Sequence, residues 1–226
     1  MGKILPNELI IDWDVKNWSR VLDFWHNHTA LQIENCRSLE VGANKGGLSL
    51  YLAQKGATVV CSDITEPAPE VQSHHRQMGF AQNLSYTTVD VCAIPFEDNS
   101  FDIILFKSVM GALRTYSRQK QMISEIHRVL KPGGELWFAE NLVASPLHRL
   151  ARRYFVKWGK SWRYVTSLEI QQLCQSFSQL YLENYGLLGA FGRTEKQRRI
   201  LGSMDALING CIPCSWKYIA FGLARK

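Results

Sequence analysis

A short glycine-rich loop at residues 42–47 constrains the fold more than any other feature. Leu39, Glu40 and Val41 have the character of a strand end, and Leu48 begins a helical period. Glycine permits positive φ and lets backbone N–H groups approach a ligand without an intervening Cβ. In an open parallel sheet, this loop lies outside the carboxyl end of a strand, where ligands bind. The loop therefore predicts an α/β fold with a ligand site beside its first strand.

An acidic residue at the end of the next apolar run, Asp63, indicates the kind of ligand. A carboxylate at that position can accept two hydrogen bonds from a ribose diol, so the loop and Asp63 together predict a nucleoside site. A dinucleotide site would require G-x-G-x-x-G, but Asn44 stands at the middle glycine position. The G-K-[ST] sequence of a P-loop is missing as well.

Short apolar runs alternate with longer helical periods along the 226 residues, a pattern typical of an α/β domain with a mainly parallel sheet. The predicted strands cover residues 38–41, 58–62, 85–90, 101–106, 135–140, 181–186 and 217–224. The predicted helices cover residues 47–54, 70–78 and 117–130, with a further helix between residues 18 and 25. Capping boxes that begin at Thr166 and Thr194 predict two later helices, and Gly210 is expected to end the second.

Four motifs follow one another in a specific order: "EVGANKGG", "VVCSDI", "TVDVCAIPFEDNSFDIILFKSV" and "IHRVLKPGGELWFAEN". Together they resemble the successive motifs of class I S-adenosylmethionine-dependent methyltransferases, especially the small-molecule group. The resemblance covers about residues 38–141. It implies a Rossmann-like, seven-stranded, mainly parallel sheet with an antiparallel last strand, in three α/β/α layers with a helical substrate cap.

The resemblance also implies S-adenosyl-L-methionine as the cofactor and assigns residues to it. Glu40 and Gly42 would shape the pocket around the methionine part, Asp63 would hold the ribose, and Asp90 would accept from the adenine amino group. Asn44 departs from the family's E/D-x-G-x-G pattern, but asparagine tolerates left-handed backbone better than most residues. The implied cofactor-binding residues are Glu40, Gly42, Asn44, Gly46, Asp63, Ile64, Asp90, Val91 and Phe106.

The methyl acceptor is expected over the carboxyl ends of the fourth and fifth strands, where three residues are candidates for catalysis. Lys107 follows the fourth strand, Glu140 closes the fifth, and His148 lies in the segment that follows. A hydroxyl acceptor would need a base, whereas an amine or thiolate needs little help. Each candidate has a structural alternative: a salt bridge for Lys107, support of the local backbone for Glu140, and a surface position for His148. The base is left unassigned.

A basic segment follows the fifth strand and contains no acid. Its charges equal the whole net charge of +6 and belong to Arg149, Arg152, Arg153, Lys157, Lys160 and Arg163. An apolar stripe shares the same helix and comprises Leu147, Leu150, Ala151, Tyr154 and Phe155. One interpretation is a cap helix packed on the domain with a solvated basic face. The others are attraction to an anionic acceptor or peripheral contact with an acidic membrane surface, while residues 157–164 could clamp a substrate ring or form the cap wall.

The cysteines and the N-terminus indicate a reduced compartment. Six cysteines are scattered through the predicted elements, which favours reduced thiols over a disulfide framework. Cys211 and Cys214 have C-x-x-C spacing, but no second Cys or His pair accompanies them, so we predict no metal site. No apolar run approaches the roughly 20 residues of a membrane span, and no secretory signal is evident. We expect a cytoplasmic protein.

These patterns predict a single methyltransferase domain over residues 1–226, with a helical cover at about 1–36, a cofactor-binding core at 37–142 and cap segments at 143–165 and 187–214. The predicted reaction is methyl transfer to a small, anionic or sugar-like acceptor. The alternatives are a non-catalytic S-adenosylmethionine-binding protein and an RNA methyltransferase. Nucleic acid is disfavoured because the basic residues are local, and the oligomeric state is left open.

Overall fold

The strands form one sheet at the centre of the computed structural model, which describes residues 4–156 and 161–226. Within these residues the strands are β1 (Arg37–Glu40), β2 (Thr58–Asp63), β3 (Leu84–Thr88), β4 (Phe101–Lys107), β5 (Leu130–Asn141), β6 (Gln179–Tyr185) and β7 (Ile219–Arg225). Their order across the sheet is β3-β2-β1-β4-β5-β7-β6. Strands β1 to β5 pair in parallel, and β7 runs antiparallel to β5 and β6. The predicted Rossmann-like topology with an antiparallel last strand is confirmed.

Helices cover both faces of the sheet and complete the three layers. In the described residues they are α1 (Asn7–Ile10), α2 (Val15–Trp18), α3 (Arg20–His28), α4 (Gly47–Ala53), α5 (Pro69–Met78), α6 (Tyr116–Val129), α7 (Pro146–Phe155), α8 (Ser167–Leu173) and α9 (Glu195–Ile208). One buried apolar cluster joins the sheet to α1 through α4, and a second joins it to α6 and α8. Burial of apolar area on both faces drives this arrangement, because each strand face must be removed from water.

The N-terminal helices pack against the sheet. The fully buried Trp25 on α3 stacks on Trp137 of β5, with 5.6 Å between the ring centroids. Its indole N–H donates to the carbonyl of Gly222 at 3.0 Å. A Cβ at Gly222 would lie 1.9 Å from Phe138 Cζ, so only glycine fits against this ring. This packing fixes the N-terminal segment against the end of the chain.

Four predicted strand boundaries are wrong by two or more residues, namely the end of β3 and the starts of β5, β6 and β7, and those of β3 and β5 bear on the site. Strand β3 ends at Thr88 rather than at residue 90, because Asp90 belongs to a tight turn in which its Oδ1 accepts the N–H of Cys92 at 2.9 Å. Strand β5 begins at Leu130, five residues before the predicted start, and pairs with Phe101 before its ladder with β4 becomes irregular. Asp90 therefore lies on a loop beyond the sheet, where it faces a cavity.

Both predicted capping boxes are confirmed at the starts of α8 and α9. The expected end of α9 at Gly210 is wrong, because the α-helix ends at Ile208 and continues as a 3₁₀ turn over Asn209–Cys211. A single parallel bridge between Leu142 and Val165 ties the cap segment to the end of β5. The cap is thus attached to the same sheet edge that carries the glycine loop.

The described residues contain every cysteine of the chain. All six cysteines are free, and Cys211 and Cys214 are exposed on turns before β7, where we expected a loop. Across residues 4–156 and 161–226, no group of three His, Cys, Asp or Glu side chains is placed to hold a metal ion. Over the same residues, no helix has both the length and the apolar character that crossing a bilayer requires.

Candidate active site

Two adjoining cavities open at the carboxyl ends of the parallel strands, where the glycine loop predicts a ligand site. The first has a volume of about 520 Å³ and the second about 680 Å³. Gly42 and Ser108 line both cavities, so the two meet between the glycine loop and the end of β4. A ligand that occupied both would pass between these two residues.

Asp63 presents its carboxylate to the first cavity, together with the apolar side chains of Ile64 and Val91. Its Oδ2 accepts the N–H of Asn44 at 2.9 Å, and its Oδ1 accepts the N–H of Ile64 at 2.7 Å. A carboxylate has about four lone-pair sites, so two remain for ligand hydroxyl groups. The local backbone therefore orients Asp63 without saturating it.

Asp90 lines the opposite side of the first cavity and is paired with a residue that sequence reasoning missed. Its Oδ2 lies 3.5 Å from the guanidinium of Arg118 on α6, and both side chains are about half exposed. Exposed ion pairs contribute little free energy, so a ligand donor can replace Arg118 at low cost. No local pattern marks Arg118, because it reaches the cavity through the packing of α6 against the sheet.

The glycine loop has the backbone geometry that its sequence predicts. Gly42 has a φ of +68°, and a Cβ at this position would lie 2.5 Å from Val109 Cγ2. Asn44 has a φ of +50°, so asparagine occupies the left-handed region in place of the family's glycine. Gly46 is also left-handed but lies outside the lining of both cavities, and a Cβ there would meet the ring of the buried His75 at 2.5 Å. The structure shows a packing role for Gly46, and its contact with the cofactor stays a prediction.

Glu40 ends β1 and lines the second cavity, although only 3 % of its surface is exposed. Its Oε2 accepts both the N–H and the hydroxyl of Ser49, while its Oε1 has no hydrogen-bond donor among the described residues. Burial raises the pKa of Glu40 to about 7, against the hydrogen bonds from Ser49 and the charge of Lys107. The arrangement leaves one carboxylate oxygen available to a cationic ligand group.

The second cavity is also lined by Asp12, Trp13 and Lys107. The Lys107 ammonium lies 2.8 Å from Asp12 Oδ1 and 5.4 Å from the ring centroid of Trp18. Of the two interpretations of Lys107, catalysis or a salt bridge, the structure shows the salt bridge. Burial alone would raise the pKa of Asp12, but the Lys107 charge brings it below its ordinary value. Sequence reasoning missed Asp12 and Trp13, because no local pattern links them to a strand end 95 residues away.

Glu140 supports the loop after β4 and does not line either cavity. It is fully buried, and its carboxylate accepts the backbone N–H groups of Val109, Met110 and Asn141 at 2.8–2.9 Å. Ser108, on the same loop, has a φ of +60°, which is rare for a non-glycine residue and typical of functional sites. Burial raises the pKa of Glu140 to about 7, while these N–H groups oppose the shift. Of the alternatives for Glu140, backbone support matches the structure.

Two further predicted site residues lie in the protein interior. Phe106 is fully buried and stacks on Phe138 at 5.7 Å, so its assignment to the cofactor is corrected to a core position. His148 is only 2 % exposed, with Nε2 2.9 Å from the Leu187 carbonyl and Nδ1 2.7 Å from the Ser145 hydroxyl. The carbonyl requires the proton on Nε2, and the hydroxyl then donates to Nδ1. With both nitrogens engaged and burial lowering its pKa to about 4, His148 serves packing rather than proton transfer.

The basic segment differs most from its predicted arrangement. Arg152 turns inward, donates to the carbonyls of Leu142 and Val143 at 2.7 and 3.0 Å, and lies 3.8 Å from the ring centroid of Tyr164. Arg163 is bound to Gln119 and Glu169. The expectation of a uniformly solvated basic face is therefore wrong. Lys157 and Lys160 lie outside the described residues, as does the first half of residues 157–164.

Comparison with known proteins finds similarity to methyltransferases over part of the chain. The profile of the family described as "Methyltransferase domain" matches residues 39–138. A ubiquinone/menaquinone biosynthesis C-methyltransferase, UbiE of Shewanella frigidimarina, is 31% identical over 139 residues, covering 58% of this chain and 53% of that protein. The UbiE of Blochmanniella pennsylvanica is 31% identical over 119 residues, or 50% of this chain and 46% of that protein. The chain spans about half the length of the curated relatives it matches.

Solved structures share the fold over nearly the whole chain. Phosphoethanolamine N-methyltransferase 2 of Haemonchus contortus, solved with S-adenosyl-L-methionine, superposes with a TM-score of 0.66 at 18% identity, covering 92% of this chain and 52% of that one. An S-adenosylmethionine-dependent methyltransferase of Methanosarcina mazei superposes with a TM-score of 0.62 at 20% identity, covering 90% and 96%. At these identities the likeness concerns the fold alone.

Proposed function

We propose that the chain is a class I S-adenosylmethionine-dependent methyltransferase and that it transfers a methyl group to a small molecule held in the second cavity. The observation that carries the proposal is the pair of cavities that meet between Gly42 and Ser108. One is lined by the carboxylates of Asp63 and Asp90, and the other by Glu40 and the Asp12–Lys107 pair.

The residues present fit the cofactor. Asp63 retains lone pairs for the ribose hydroxyls, and Asp90 is available to the adenine amino group once Arg118 is displaced. Glu40 Oε1 suits the ammonium of the methionine part, and the lack of a side chain at Gly42 keeps the passage open. S-adenosylmethionine supplies a methyl group already activated on its sulfonium sulfur. The protein then has mainly to position the acceptor, which can lower a barrier by several kcal/mol.

The chemistry of the second cavity narrows the acceptor class. Apart from Glu40, which the cofactor would occupy, its lining carries two ammonium groups and three carboxylates, the latter from Glu8, Asp12 and Glu70. The anionic-acceptor prediction depended on the basic segment, of which Arg152 and Arg163 are bound within the protein. We therefore propose an acceptor that is neutral, including sugar-like compounds, or cationic. The family match ends at residue 138, before the cap, so the acceptors of the relatives do not transfer to this chain.

We also propose the chain's organisation as one domain, with residues 37–142 as cofactor core, 1–36 as cover, and 143–165 and 187–214 as cap. The cytoplasmic location stays a prediction, based on six free cysteines. The role of Glu140 in this proposal is to hold the loop after β4, and that of Lys107 is to hold Asp12 at the cavity wall.

Incubation with methyl-labelled S-adenosylmethionine and a metabolite panel tests the function. We expect label to appear in a neutral or cationic small molecule, with S-adenosylhomocysteine as coproduct. Cofactor binding without transfer to any panel member, or to cellular small-molecule extracts, would favour the non-catalytic binding protein. Transfer to tRNA or rRNA, with binding that falls steeply as salt increases, would favour the RNA methyltransferase.

A further inference from the structure

The cap helix α7 exposes its apolar side to solvent. Leu147 is 61 % exposed, Leu150 54 %, Tyr154 67 % and Phe155 75 %. Their spacing of i, i+3, i+7 and i+8 places them on one face of the helix. The amphipathic helices of a globular domain normally bury such a stripe, so α7 has the reverse orientation.

Polar side chains account for this orientation, because they attach the other face of α7 to the domain. His148 binds the carbonyl of Leu187, and Arg152 binds the carbonyls of Leu142 and Val143. These are buried or half-buried contacts, and breaking them would leave backbone carbonyls without partners. The hydrogen bonds of His148 and Arg152 thus hold α7 with its apolar face outward.

Helix α9 has the same arrangement. Its apolar residues Ile200, Met204 and Leu207 are 64 %, 47 % and 85 % exposed, whereas the residues it buries are Gly202 and Asp205. The helices flank one connecting segment: His148 of α7 lies 4.5 Å from the ring of Phe191, and Arg193 lies 5.9 Å from the ring of Phe155. Both helices therefore adjoin the same connecting segment, and we call the exposed apolar residues of α7 and α9 together the cap face.

The charges around the cap face have one dominant sign. Exposed basic residues accompany the apolar ones, namely Arg149, Arg153, Arg193, Lys196 and Arg199. Helix α7 contains no acidic residue. In α9, Asp205 is buried and bound to three backbone N–H groups, and Glu195 is paired with Arg198. The cap face thus combines large apolar side chains with unneutralised positive charge.

We propose that the cap face docks on an anionic lipid bilayer surface. Apolar side chains that enter the headgroup boundary, with Arg and Lys beside them, are the features that hold an amphipathic helix in such an interface. A second copy of the chain is disfavoured as the occupant, because its cap face would bring the same positive charge into contact. Exposed leucine and isoleucine side chains have no partner on a phosphate backbone, which disfavours nucleic acid. This docking does not depend on methyl transfer and can be tested without cofactor.

Co-sedimentation with vesicles tests the docking. The protein is mixed with phosphatidylcholine vesicles, either pure or containing about one-third phosphatidylglycerol, at roughly physiological ionic strength. We expect at least tenfold stronger partitioning to the anionic vesicles. The double variant Leu150→Ser/Phe155→Ser should lose at least tenfold of that partitioning. Arg149→Glu/Arg153→Glu should lose the preference for anionic lipid, as should a high salt concentration.

Matched variants separate docking from general surface effects. Leu168→Ser removes a leucine that is 70 % exposed on α8, and Lys120→Glu reverses an exposed charge on α6, both away from the cap face. Both should partition like the original protein, and all variants should keep their melting temperature. Equal binding to the two kinds of vesicle would overturn the proposal. So would a loss of partitioning in Leu168→Ser as large as that in Leu150→Ser/Phe155→Ser. So would sedimentation equilibrium that shows a dimer abolished by Leu150→Ser/Phe155→Ser, since the occupant would then be a second copy.

Discussion

Helices α6 and α7 both carry an apolar stripe at helical spacing, yet they face in opposite directions. On α6 the stripe of Met122, Ile123 and Ile126 is buried against the sheet, as its periodicity predicts. On α7 the stripe is exposed, and the buried residue is His148. Periodicity thus identifies a helix and its two faces, but it does not decide which face turns inward.

The difference follows from what each helix packs against. Helix α6 lies on the face of a sheet, which presents apolar side chains and few free backbone groups. Helices α7 and α9 lie at the carboxyl end of the strands, where loops present N–H and C=O groups that need partners. Asp205 alone accepts from Leu187, Leu188, Gly189 and Asn17. Hydrogen bonds to backbone groups therefore determine which face of α7 and α9 turns inward, whereas burial of apolar side chains determines it for α6.

The largest expected effect comes from removing that polar anchor. Asp205→Ala would leave three backbone N–H groups without their acceptor, and we expect the free energy of unfolding to fall by about 3–5 kcal/mol. Leu207→Ala on the same helix, at a residue 85 % exposed, should change it by less than about 0.5 kcal/mol. Urea unfolding of both variants measures the contrast. If Leu207→Ala proved the more destabilising, the inverted orientation of α9 would be wrong.

A smaller contrast is expected within α7. Arg152→Gln removes two hydrogen bonds to carbonyls and the contact with Tyr164, at a cost of about 2 kcal/mol. Arg153→Gln, on the exposed side, should cost less than about 0.5 kcal/mol. Thermal unfolding at matched pH tests this pair. Equal melting temperatures would indicate that Arg152 is solvated, as the sequence pattern alone suggested.

The buried carboxyl group of Glu40 should make the stability of the cofactor-binding region depend on pH. Glu40, with donors only from Ser49, has its pKa raised by burial from 4.5 to about 7. A raised pKa favours the protonated native state, so its contribution to stability is complete below pH 4.5 and is lost as pH rises through about 7. Between about pH 5.5 and pH 8, cofactor-free protein should lose about 2 kcal/mol more stability than Glu40→Gln does. Identical pH profiles for the two proteins would show that Glu40 stays ionised throughout.

The parts of the site that were predicted correctly are those fixed by local chemistry. Gly42 and Asn44 adopt left-handed backbone, and Asp63 ends its strand, because a strand-to-helix turn and the register of parallel strands leave little choice. Asp12, Trp13 and Arg118 were not predicted, since each reaches the cavities only through tertiary packing. His148 and Phe106 are buried in the protein interior, which a position at or after the end of a strand does not reveal.

Calorimetric titration of S-adenosylmethionine tests the central claim, that the carboxyl ends of β1 to β3 bind this cofactor. The original protein should bind it, and Asp63→Ala should bind at least tenfold more weakly, because charge-assisted hydrogen bonds contribute roughly 1.5–3 kcal/mol each. Glu183→Ala, which removes an exposed carboxylate on β6, serves as the matched control and should bind like the original protein. Unchanged affinity in a folded Asp63→Ala variant, or no binding by the original protein, would contradict the account.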